Sequence, residues 1–343
     1  MTVIHYVVDP ASPHGRAVVS FTRSFLRFAY DVFKRYRLEH LKYLIVTDRD
    51  GAVNPKKYTK DSKVIKLINS FLKISGICAN VPTGLYDVNE NAIVLCLRLH
   101  DLKDKVLSIR ATSHEFVHFM IHPDIDRVID GFVRALASDI PEFRDAVEVV
   151  TACYNKAWET IELGSEARKR LAELMPELKT LEDICISGFN KFKNATWLFV
   201  SQILAEYIAL NYFVFLHKLP VLRIGSILDL PYIYSYYVDY IVFIYMETVA
   251  SVASDSAYAY HRLRYPEKPV EEATRFEATI DEKVGLFMKK LRYGDHPKLK
   301  GFIHETFLSI LERGTVFPAD LAPKYPELYG DVVSVVRAVQ KHI

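Results

Sequence analysis

Thr83-Gly84-Leu85-Tyr86-Asp87-Val88-Asn89-Glu90-Asn91-Ala92-Ile93-Val94-Leu95-Cys96-Leu97, followed after fifteen intervening residues by Ser113-His114-Glu115-Phe116-Val117-His118, carries the reading of this chain. The first stretch predicts a short strand, a polar turn over Asp87 to Asn91 and a strongly apolar strand from Ile93 to Leu97. The second lies in helix-compatible sequence from Lys105 to Ile121, with no Gly or Pro before Pro123 ends it. Phe116, Val117 and Phe119 would anchor that helix in a core. His114 and His118 would then face a cleft.

The spacing of the two histidines is chemical as well as structural. Residues four apart stand one helical turn apart on the same face, so both imidazoles can reach a single metal ion. Glu115, beside the first of them, sits where it can take a proton from a water at the ion's open position. A Gly-Leu-Tyr-Asp…Asn-x-Ile-x-Leu hairpin leading into such an HExxH helix resembles the catalytic core of gluzincin-like zinc metallopeptidases, nearest the ImmA/IrrE-type group, over roughly residues 80 to 125. The resemblance implies Zn2+ on His114 and His118, Glu115 as general base, and a peptide or protein substrate. It also implies that Ala92 to Leu97 is the strand along which an extended peptide pairs.

A catalytic zinc needs a third protein ligand, and three carboxylates compete for the role. Glu206, in Gln202-Ile203-Leu204-Ala205-Glu206-Tyr207-Ile208-Ala209, resembles the Glu-x-x-Ala helix that supplies this ligand in gluzincins. Glu247 has the same spacing to Ala250, and Asp124 stands where metzincin-like enzymes place their last ligand. Gln202, Glu206, Ala209 and Phe213 share one face of an otherwise apolar helix, the polar strip expected of a helix lining a metal cleft. A zincin-like scaffold that binds a partner without cleaving it is the alternative reading.

Composition narrows the rest. Half the residues are hydrophobic and 13% aromatic, which excludes general disorder. The 44 basic and 42 acidic residues are interspersed and leave a net charge of +2, with no basic stripe of the kind nucleic acid requires. Four scattered cysteines without a CxxC, and no signal-like N-terminus, lead to the expectation of reduced, buried thiols in a cytoplasmic protein. Two Gln in the whole chain, beside abundant Tyr, Lys, Arg and Glu, is the bias of a thermophile.

Ala195 to Leu216 and Pro231 to Ala253 are long enough to span a bilayer, yet they carry Glu206, Asp239 and Glu247 in their interiors. They are read as buried helices, so membrane association is not expected. The fold class is therefore α+β. A lobe over residues 1–125 would hold a small antiparallel or mixed sheet and the HExxH helix. A mostly helical lobe over 126–343 would carry the third ligand and an insertion covering the cleft. Within the first lobe the expected elements are a strand at Val3 to Val8, a helix at Ser20 to Arg37, a strand at Tyr43 to Thr47 and a helix at Ser62 to Ile74. The Pro-rich Arg264 to Pro269 marks a hinge.

Overall fold

The computed structural model describes residues 3–32, 38–75, 78, 82–122, 125–217 and 229–292. The architecture is α+β, a four-stranded mixed sheet with a mostly helical body. It separates into two compact units. Among the described residues, one takes in those of 3–125 with 201–217 and 229–234; the other takes in 126–200 and 235–292.

In the first unit, β1 (Val3–Val7), β2 (Tyr43–Thr47), β3 (Thr83–Asp87) and β4 (Ala92–Cys96) stand in the order β1-β2-β4-β3. β1, β2 and β4 are mutually parallel, and β3 returns antiparallel to β4 through the hairpin turn. Asn91 closes that turn at φ 49°, a left-handed conformation that Asn tolerates better than most side chains. The parallel pairings need crossovers, and helices supply them. They are α1 (Pro13–Val32) between β1 and β2, then the short α2 (Arg49–Val53) and α3 (Ser62–Ser75) before the hairpin.

β4 is buried at all five positions, as an interior strand covered on both faces should be. Val7, Ile45, Val94 and Cys96 on one face of the sheet pack with Val64, Ile68 and Phe71 of α3 in one apolar cluster. This corrects the expected substrate strand. Ala92 to Leu97 runs between β2 and β3, its backbone hydrogen bonds used on both sides, and β3 is the edge strand on this side of the sheet.

α1 begins at Pro13, well before the expected Ser20. The Ser12 hydroxyl accepts the Gly15 amide at 2.9 Å, and Pro13 needs no partner for a missing N–H, so the Pro-containing link is a helix start rather than a loop. The part of the expected helix from Phe33 to Arg37 lies outside the described residues.

The cysteine expectation is overturned. Cys78 and Cys96 are joined in a disulfide in the first unit, Cα to Cα 5.9 Å, and Cys153 and Cys185 in the second, 5.2 Å apart. Partners 18 and 32 residues apart leave no local spacing signature, because the fold brings them together.

α5 (Ile125–Asp139), α6 (Pro141–Ile161), α7 (Ser165–Leu174), α8 (Leu178–His217), α9 (Asp229–Arg264) and α10 (Val270–Arg292) follow the hairpin region's last helix. In the second unit Cys153 and Ala157 of α6, Leu181 and Cys185 of α8, and Ala259 and Leu263 of α9 share a core. Phe143 packs on Phe287 with ring centres 5.2 Å apart, and Lys283 pairs with Asp145 at 2.6 Å, fixing α10 to α6. The Pro-rich segment forms the turn between α9 and α10. Among the described residues no helix is long and apolar enough to cross a membrane.

Candidate metal centre on the HExxH helix

α4 (Leu102–Ile121) carries the motif. Its start is set by Asp101, whose carboxylate accepts the Asp104 amide at 2.7 Å and caps the first turn. The chain leaving β4 is fastened to the same turn. The Arg98 amide donates to the Ser108 hydroxyl at 3.3 Å, that hydroxyl donates to the Arg98 carbonyl, and the Arg98 guanidinium lies 3.5 Å from the buried Asp104 carboxylate. Phe116 and Val117 are fully buried, and the Phe116 ring meets Phe25 of α1 at 5.2 Å. These contacts fix the rotation of α4 about its axis and so decide where its histidines point.

The two histidines converge. His118 Nε2 lies 3.0 Å from His114 Nε2, with the rings at 79° and their centres 4.6 Å apart. Two nitrogens held by one zinc at about 2.0–2.1 Å would be about 3.3 Å from each other, so this pair fits a shared ion. His114 is buried and His118 half-buried, an arrangement that leaves the pair approachable from the His118 side.

Glu115 is also buried, at 6% exposure, and lies over Gly84 of β3. A Cβ at position 84 would come within 2.3 Å of Glu115 Cγ and 2.9 Å of Oε1, so only glycine leaves the carboxylate its seat. Side chains alternate along a strand, and Tyr86, two residues on, faces the same helix. Its ring meets Phe119 edge-on at 5.8 Å and His122 at 6.0 Å. The Tyr86 hydroxyl donates to Asn91 Oδ1 at 3.2 Å, and burial, with the nearby Asp87 charge, pushes its pKa up to about 12. Tyr86 is therefore a neutral phenol at any ordinary pH.

For the third donor the described residues offer one neighbour of the pair. α8 does approach the motif, but through Gln202: its Oε1 lies 3.0 Å from His114 Nε2. Gln202 belongs to the polar strip of α8 that the sequence predicts to face the cleft, and that strip is the signal for its place here. Glu206 stands one helical turn further along α8, and its side chain lies outside the described residues. Asp124 also lies outside them, and Glu247 is solvent-exposed on α9. Among the described residues no group of three His, Cys, Asp or Glu side chains is placed to hold a metal ion.

Comparison with protein-family models, with curated proteins and with solved structures finds no match to this chain.

Proposed function

We propose that this chain is a zinc-dependent metallopeptidase of the zincin type. The observation that carries the reading is the convergence of His114 and His118 at 3.0 Å, with Glu115 seated beside them against the edge strand. His114 and His118 would hold the metal, with a further donor from α8, where Glu206 is the carboxylate expected for the role. Zinc at this position would polarise a water molecule and the carbonyl of a bound peptide.

The chain's own groups do the proton work. Glu115 would accept a proton at a carboxylate oxygen as water attacks, and return it to the departing amine. Its burial under β3 keeps bulk water from competing for that carboxylate. An extended peptide would align on the outer edge of β3, from Thr83 to Asp87, where the strand's hydrogen-bonding groups on the side away from β4 meet no other strand of the described sheet. Gly84 would then place the peptide backbone next to Glu115, with Tyr86 forming the wall beyond it.

Two observations bear on the compartment. Paired cysteines are usual in secreted proteins, but intracellular proteins of hyperthermophiles are also disulfide-rich. The near absence of Gln favours the second setting, a cytoplasmic enzyme of a heat-adapted microbe.

The test is zinc stoichiometry beside proteolysis of an unfolded protein such as casein, for the native chain and Glu115→Gln. Both should bind one zinc, and the variant should cleave at least about 100-fold more slowly. Equal cleavage by the variant would refute the mechanism, and no zinc in either would refute the enzyme.

A further inference from the structure

We infer that Gln202 supplies the third protein donor to this metal through its amide oxygen, an inference that rests on the metal site proposed above. Two contacts meet at His114 Nε2, one from His118 Nε2 and one from Gln202 Oε1, and each is 3.0 Å long. Donor atoms that share one ion at about 2.1 Å lie about 3.0 to 3.4 Å apart, from octahedral to tetrahedral geometry. Both contacts therefore have the length of an edge of one coordination polyhedron.

Chemistry points the same way. Without metal, a His114 N–H can donate to the Gln202 carbonyl. Once the Nε2 lone pair is committed to a cation, that nitrogen carries no proton to give. An amide oxygen this close then needs another electropositive partner at the same place, and the cation is one. The opposite amide orientation would aim N–H groups at a positive ion.

The resulting donor set, His114, His118 and Gln202, is neutral throughout. The ion would keep its full double charge, with Glu115 as the anionic neighbour from the motif. Glu206, one turn along α8, would then not be required as a ligand.

The experiment uses the full chain stripped of metal, with zinc affinity read by competition against a chromophoric chelator and coordination read from the visible spectrum of the cobalt(II) form. Gln202→Met keeps the length and removes the oxygen; Gln202→Glu keeps the shape and adds a charge. Far-UV circular dichroism and thermal melts in EDTA show that each variant folds. Gln202→Met should weaken zinc by about 100-fold or more, beyond the usual loss for an outer-shell partner. Gln202→Glu should bind at least as tightly as the native chain with an altered cobalt spectrum, and Glu206→Ala should keep the native spectrum.

Zinc affinity within about threefold of native in Gln202→Met, too small even for an outer-shell partner, would overturn the assignment. So would an unchanged cobalt spectrum in Gln202→Glu, which decides the matter if the Met variant does not fold. Loss of metal in Glu206→Ala alone would move the ligand back to the carboxylate. In each of those cases the native chain still binds zinc and the peptidase reading survives. A native chain that binds neither zinc nor cobalt removes both.

Discussion

Gly84→Ala tests the link between the edge strand and the motif helix without touching a histidine. The new Cβ would stand 2.3 Å from Glu115 Cγ, where carbon atoms pack at about 3.5–4.0 Å. Glu115 would have to give way by more than 1 Å by that comparison, and the anchoring of α4 through Phe116, Val117 and the Arg98 clamp prevents the whole helix from yielding. Overpacking of this kind costs about 1–3 kcal/mol. For a unit of this size that is about 2–4 °C of melting temperature per kcal/mol. If Glu115 is the general base proposed above, its displacement should also lower turnover by about 100-fold.

The decisive form is a double-mutant cycle with Glu115→Ala, which removes the atoms the new methyl strikes. Gly84→Ala should destabilise the native chain by about 1–3 kcal/mol and cost almost nothing in the Glu115→Ala background, a coupling readable from urea midpoints. Equal costs in both backgrounds would show that the glycine does not seat Glu115, and the argument for its role would fall.

Two further outcomes follow from the second unit and the disulfides. Glu177 accepts hydrogen bonds from Arg262, the shorter at 2.7 Å, and these hold its carboxyl below the ordinary glutamate range. A depressed acid stabilises the fold above its unfolded pKa and loses that contribution as pH falls through the folded value. Urea midpoints should therefore fall below about pH 4, and Glu177→Gln should flatten that limb; a native-like acid limb in the variant would refute the pairing. Replacing Cys78 and Cys96, or Cys153 and Cys185, with alanines should cost about 3 and about 4 kcal/mol by loop-closure entropy for separations of 18 and 32 residues. Midpoints unchanged under oxidising conditions would show that the bonds do not form.

The hairpin and the motif helix were legible because their signals are local: an apolar run, a polar turn and unbroken helical sequence up to Pro123. The strand's position in the sheet was not, although a clue was present. Ala92 to Cys96 has no polar residue, the mark of a strand covered on both faces, whereas Thr83 to Asp87 is mixed as an edge strand is. The start of α1 was not legible at Ser20, because its true first residue, Pro13, is a helix-initiating proline rather than part of the apolar periodic run. Cysteine pairing depends on the sheet bringing Cys96 to Cys78, which spacing cannot encode. Gln202 was legible as part of the polar strip on α8, but its contact with His114 was not, because pairing across 88 residues leaves no local spacing signal.

β4 and β3 also differ in how readily they would open. β4 has a hydrogen-bonded strand on each side, all five of its residues are buried, and its exit is clamped to α4. All five residues of β3 are half-buried, and one strand holds it. Amide hydrogens of β4 should exchange only on global unfolding, whereas those on the outer side of β3 exchange through local fraying. The histidines are thus attached to the slowest part of the unit, and the strand facing Glu115 belongs to a faster one. On the proposed reading, that pairs a rigid back wall with a front that can breathe, so a peptide would displace water along β3 without disturbing the two histidines.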